Sequence, residues 1–307
     1  MMKKKYRDLI QETENDPRYK GYQKMYLASG NLEGYSMEEV GFMHISLFEN
    51  QCPIQFKGNI TEEEFEKISM IKILKFFWQY LQDNGPVKLT PKGNMPDEVI
   101  NAIYKKAGLI IPCSHCGDDM KPEEGLSIIP VMSAVAISQC FNQTFVKNNY
   151  LHLSDSKPEL LTGNASLYKY SFLAFVFGLN WQCLDGFGNR EIGPYAIGFM
   201  LMLLSKFGDK FRSENFYSEK YFKTFPHLID CIKTMPHIKK AADDNHLFSV
   251  ASICYNSRVF GRFLEGFGLI ECEEMENETY DVLIRKSELF DKLITVIPPM
   301  GKEDLAD

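Results

Sequence analysis

The sequence predicts an α+β protein, mostly helical, built from tandem winged-helix-like units (helix, β-hairpin wing, helix) with a helical insert. Three observations predict it. Apolar helical patterns end in abrupt stops. Alternating strand patterns around turn residues follow those stops. A Thr or Ser then leads into the next helix, and this order recurs three times along the 307 residues. The predicted organisation is an N-terminal helical segment over 1–60, units over 61–112, 113–165 and 246–300, a helical aromatic-rich insert over 166–245, and a tail over 301–307.

The first 60 residues read as helices and loops without a hairpin signal. Thr61 with Glu64 forms a capping-box pattern, in which each side chain satisfies an amide left orphaned at a helix start. The stripe Phe65, Ile68, Ile71, Leu74, Trp78, Leu81 then recurs at intervals of three and four, and Asn84-Gly85-Pro86 stops it. A short strand "VKLT" and a turn into a second helix, "PKGNMPDEVINAIYKK", complete the first unit. In the second, "PVMSAVAISQCFN" is helical in pattern and "TFVKNNYLHLS" is a hairpin turning on Asn148-Asn149, residues that tolerate positive φ. In the third, "SRVFGRFLEGFG" is a helix closed by glycines. "LIECEEMENETYDVLIRKS" is a longer hairpin on which Tyr280, Val282 and Ile284 alternate, and Ser287 caps a helix over "SELFDKLITVI".

The segments "GPVKLTPKGNMPDEV", "LAFVFGLNW" and "FGRFLEGFGLIECEE…VLIRKSELFDKL" resemble a family of uncharacterised bacterial proteins. In that family a tandem winged-helix-like region stands alone or is joined to a plasmid ORF-3-like domain or a SEC-C metal-binding tail. The resemblance covers roughly residues 60 to 300 and implies the fold; it implies no activity. The SEC-C cysteine and histidine cluster has no counterpart in this chain's last residues.

Composition narrows the function classes. With 45% apolar, 13% aromatic and 24% charged residues, the chain can fill a sizeable core. A net charge of −7 opposes broad affinity for phosphate backbones or anionic membranes. "MMKKKYRDLIQETEND" lacks the apolar core of a signal peptide, and "SFLAFVFGLNW" and "AIGFMLMLL" are shorter than a bilayer span. The expectation is a cytoplasmic protein whose eight cysteines are thiols. GxxxxGK[ST], HExxH, GxSxG and GxGxxG patterns are all missing, and "DGFGNREIGP" reads as a loop between apolar helices.

Three constellations remain. A winged helix that binds DNA needs basic residues on its groove helix and wing. Here the first unit offers the aromatic "ILKFFWQYLQ" and the third an acidic "ECEEMENETYD" wing, so Lys88, Lys92, Arg258 and Arg262, with the leading "KKKYR", are the candidate phosphate contacts. A protein partner is the primary expectation and DNA the alternative; an enzyme with a site between units stands third. Next, "KTFPHLIDCIKTMPHIKK" repeats K-T-x-P-H at an interval of ten. It places His227 and Cys231 four apart, as metal ligands on one helix face would be, with His237 following; the alternative is two short helices capped by Thr224 and Thr234. Last, Cys113 and Cys116 in "IIPCSHCGDDM" form a C-x-x-C. A redox pair wants a βαβ setting that is missing here, and Asp118 and Asp119 would raise the thiol pKa values. A structural zinc would recruit Cys140 and His152 as its remaining ligands. The leading expectation is a loop of reduced cysteines with no cofactor.

Overall fold

The computed structural model describes residues 32–107, 128–155, 163–182, 191–233, 244–274 and 282–299. Of these, 58% are helical and 13% are in strands of small sheets, which makes the protein α+β and mostly helical as the patterning predicts.

Two capping boxes open the first helices. Ser36 Oγ accepts from the Glu39 amide at 3.2 Å while Glu39 Oε2 accepts from the Ser36 amide at 2.7 Å, starting α1 (Met37–Ile45). After β1 (Ile54–Phe56), Thr61 and Glu64 make the same reciprocal pair, at 3.2 and 2.8 Å, and start α2 (Glu62–Lys67). The single helix expected from here to Asn84 is in fact two. Ile68 turns extended (φ −70, ψ 127), and α3 (Ser69–Asn84) begins afresh. The break has a tertiary cause: the Met70 amide, one of the α3 donors without a helical partner, donates to the Gly266 carbonyl at 3.0 Å. Gly85 ends α3 at φ 76, a conformation that side chains bearing a Cβ disfavour.

The strand β2 (Val87–Lys88) and helix α4 (Asp97–Lys106) follow, then α5 (Ile128–Cys140) and a hairpin of β3 (Thr144–Lys147) and β4 (Tyr150–Leu153). Asn148 and Asn149 take φ of 52 and 62, the double positive-φ turn their residue type allows. The sheet order is β2-β4-β3, with Val87 opposite Leu151. Asn149 clamps it, accepting from the Leu89 amide at 2.9 Å and donating its side-chain amide to the Leu89 carbonyl at 3.0 Å. One sheet thus draws a strand from 61–112 and a hairpin from 113–165. A two-residue strand cannot satisfy its own backbone, so β2 finds its pairing on the hairpin.

The helix α6 (Asn164–Leu173) continues through a π-helical turn (Ala174–Gly178). The elements α7 (Ile197–Phe207), β5 (Arg212–Ser213), α8 (Glu214–Thr224) and α9 (His227–Lys233) come next, followed by α10 (Asp244–Asn256), which runs on into a second π-helical stretch (Ser257–Leu264). A hairpin of β6 (Ile270–Glu274) and β7 (Val282–Lys286) then pairs with β5 in the order β5-β7-β6. Among the described residues the order helix, strand, helices, hairpin therefore occurs twice, each time with the early strand beside the last one. The expected insert supplies the second occurrence with α7, β5 and α8. Val282 and Ile284 face the core as their alternation predicts.

The chain closes differently from its pattern. The Ser287 hydroxyl donates to the Gly268 carbonyl at 2.6 Å and makes no cap bond. The helix α11 (Glu288–Leu293) stops early, and β8 (Ile294–Val296) pairs antiparallel with β1. Ile294, Thr295, Val296 and Ile297 are all β-branched and suit a strand better than a helix end.

An aromatic column joins the two halves. Phe172 on α6 lies with its ring centroid 4.6 Å from Phe263, 5.1 Å from Phe267 and 5.3 Å from Phe48. Phe175 lies 4.8 Å from Phe263, and the Tyr168 hydroxyl donates to the Phe267 carbonyl at 3.0 Å. Phe172→Ala is expected to lower stability by about 3–5 kcal/mol, read from the urea midpoint, whereas Thr61→Ala costs about 1 kcal/mol.

Candidate functional site

The four candidate phosphate contacts do not form one surface group. Lys88 and Lys92 are exposed beside β2, and Arg262 is half-buried. Arg258 is 1% exposed, and its Nη1 donates to the Ile192 carbonyl at 2.7 Å. A buried, hydrogen-bonded guanidinium cannot reach a phosphate, so Arg258 is a core residue of this fold. The segment "ILKFFWQYLQ" lies within α3, and α5, the helix leading into the first hairpin, carries no charged side chain.

Cys113, Cys116 and His237 lie outside the described residues. Cys140 is exposed at the end of α5, and His152 on β4 stacks on Phe145 with centroids 5.1 Å apart and 9° between planes. Among the described residues no group of three or more His, Cys, Asp and Glu could hold a metal ion. His227 opens α9 with Cys231 one turn further on, but Thr224 is the last residue of α8 and its hydroxyl donates to the Lys220 carbonyl at 2.9 Å, so it does not cap α9; Thr234 lies outside the described residues.

His227 instead meets a residue that sequence spacing does not connect to it. The turn between residues 191 and 196 is fixed from below by Arg258 at the Ile192 carbonyl and by Gly193 (φ 113), where a Cβ would come within 2.7 Å of the Trp181 ring. It is fixed from above by the Tyr221 hydroxyl, which donates to the Tyr195 carbonyl at 2.6 Å. Ala196 is held in the left-handed region (φ 47, ψ 41), a strained conformation for a residue with a Cβ. That conformation aims its amide at His44 Nδ1, 3.1 Å away, on the last turn of α1. The Tyr195 ring then stands between two imidazoles, 4.1 Å from His44 and 5.1 Å from His227.

These side chains line a cavity of about 520 Å³, within the range of small-molecule sites. Its other wall is the end of the π-helical turn, from Val176 to Asn180, with Phe177 51% exposed and Glu191 among the lining groups. π-Helical turns inside α-helices recur at functional sites. Burial lowers the His44 pKa below its ordinary value and the positive charge of His227 lowers it further; burial also lowers His227, against opposing pulls from Glu191 and Asp230. Both rings are therefore neutral near pH 7. Because His44 Nδ1 accepts a hydrogen bond, its ring proton resides on Nε2.

No family model, curated protein or solved structure matches this chain. The site therefore stands on its geometry alone.

Arg258→Ala is expected to cost about 2–4 kcal/mol in a denaturant melt, through a lost buried hydrogen bond and the space left behind. Lys88→Ala and Lys92→Ala should stay within about 0.5 kcal/mol. The histidines give a pH dependence of fixed sign. Their folded pKa values are lowered, so the unfolded chain binds more protons below about pH 6.5, and stability falls as pH drops through that value. The urea midpoint should decline from pH 7.5 to 5.5, and His44→Gln should flatten that decline.

Proposed function

We propose that the chain is a non-catalytic interaction module built on two winged-helix-like units, and that it binds a protein partner through its first wing. The twice-occurring order of helix, strand, helices and hairpin supports the winged-helix-like reading, as does the resemblance of "GPVKLTPKGNMPDEV" and "FGRFLEGFGLIECEE" to tandem winged-helix-like proteins. One observation carries the choice of partner. The β3–β4 hairpin exposes Phe145 (45%), Val146 (51%) and Tyr150 (39%), where a wing that binds nucleic acid presents Lys and Arg. The strand β3 is also a sheet edge, so its outer backbone groups are placed to pair with an added strand. Among the described residues, Cys52, Cys140, Cys254 and Cys272 are in no disulfide, which suits a cytoplasmic setting.

The test is a Phe145→Ser/Val146→Ser double variant, compared with the parent chain in a crosslinked capture from cells that make the protein. The parent should retain a partner that the variant loses, with binding weakened about tenfold or more for each apolar anchor removed and the fold unchanged by circular dichroism. Binding of duplex DNA at low ionic strength that survives the double variant, falls steeply with salt and is lost in Lys88→Ala/Lys92→Ala would replace this reading with the DNA-binding one.

A further inference from the structure

We propose that the cavity between His44, Tyr195 and His227 binds an organic ammonium ion carried on an aromatic body. The proposal goes beyond the protein-interaction reading and does not depend on it, since the cavity and the wing use different residues. Three features of the lining converge on a cation. Glu191 contributes a carboxylate, close enough to His227 to act on its charge. The wall from Val176 to Asn180 is the C-terminal end of the helix that starts at Asn164, where the helix dipole concentrates negative potential. The exposed Phe177 ring offers a face that attracts a cation, and Tyr195, packed on His44, adds an aromatic wall for an apolar body. No lysine or arginine among the described residues lines the space.

The histidines set the remaining chemistry. The Ala196 amide occupies His44 Nδ1, so His44 Nε2–H is a donor, suited to an oxygen on the ligand's body. His227 makes no hydrogen bond among the described residues, and a neutral imidazole offers one nitrogen as an acceptor for an ammonium proton. Among the described residues, the charged and titratable groups acting on the pair are Glu191, Asp230 and the two rings themselves, with Tyr195 between them. Protonating the imidazoles would place positive charge against a bound cation, so acid should release it.

Three probes that share a phenol body and differ in charge provide the test: tyramine, 4-ethylphenol and 3-(4-hydroxyphenyl)propionate, titrated into the full chain by calorimetry. Tyramine is expected to bind about tenfold or more tightly than the neutral probe, and the anion most weakly. Its binding should shift the His44 and His227 imidazole resonances, and should weaken as pH falls from about 7.5 to 5 and the imidazoles take up protons. Glu191→Gln, a change at an exposed position, should cost tyramine about tenfold while leaving 4-ethylphenol unaffected. The proposal is overturned if the anion binds as tightly as tyramine, if none of the three binds at millimolar concentration, or if tyramine binds without moving the two imidazole resonances. The wing variant should bind tyramine as the parent does, so this result and the partner experiment fail or succeed separately.

Discussion

The packing of Tyr168, Phe172 and Phe175 against Phe263 and Phe267 is the constraint on which the architecture depends. The helix from Asn164 to Gly178 packs against helices of the first repeat and against the second π-helical stretch. That helix carries large rings on the side that meets the second π-helical stretch, with Phe172 within 4.6 Å of Phe263 and Phe175 within 4.8 Å. Phe48 and Phe56 close the same column from the N-terminal side, at 5.3 Å from Phe172 and 5.7 Å from Tyr168. Large rings in offset and edge-on contact provide much of the buried area of a core and hold a definite geometry. Here they fix where the helix ends, and so where the cavity wall lies.

From that column, positional information passes to the site through few contacts. Trp181 packs on Phe175 at 5.1 Å and donates its indole N–H to the Phe175 carbonyl at 2.8 Å. The same indole sets the close approach at Gly193, and Arg258 holds the neighbouring Ile192 carbonyl. The strained Ala196 follows three residues after Gly193. A left-handed alanine persists only where its surroundings over-determine it. Here they do so through Arg258, Gly193 and the Tyr221 hydroxyl at the Tyr195 carbonyl. The buried arginine thus serves the shape of the cavity from the core side.

What the sequence made legible was local. The Thr61–Glu64 box, the stop at Gly85 and the Asn148–Asn149 turn each depend on residues within four positions of one another, and each formed as patterned. The failures were tertiary. The break at Ile68 follows from a carbonyl at Gly266, the strand at Ile294 from pairing with Phe56, and the burial of Arg258 from the Ile192 carbonyl. In each case a distant backbone group decided between conformations that the local pattern allowed equally. The recurring order was expected three times and occurs twice among the described residues, because strand β2 takes its register from the hairpin carrying Leu151 and so joins 61–112 and 113–165 in one sheet. The cavity was the least legible feature. His227 stood out within its repeated K-T-x-P-H, yet His44 is a single histidine on a short helix, and its partner Ala196 lies 152 positions away. Alanine gives no sequence sign that it will adopt a left-handed conformation.

The pairing of β1 with β8 also bears on how the protein is made. Tyr35 donates to the Ile297 carbonyl across 262 positions, and the amides of Lys57 and Asn59 donate to the carbonyls of Leu293 and Lys292. A ribosome adds roughly 5–20 residues per second, so these early groups wait on the order of ten seconds to a minute for their partners. During that interval Ile54 and Phe56 emerge without the strand that later covers them, and the face they present is apolar. The first repeat, whose strands and helices all precede residue 154, can close while synthesis continues. The pairing of β1 with β8 therefore forms only after residues 294–297 have been made, later than the first repeat can close. Until then the apolar strand β1 is open to chaperones or to a second nascent chain.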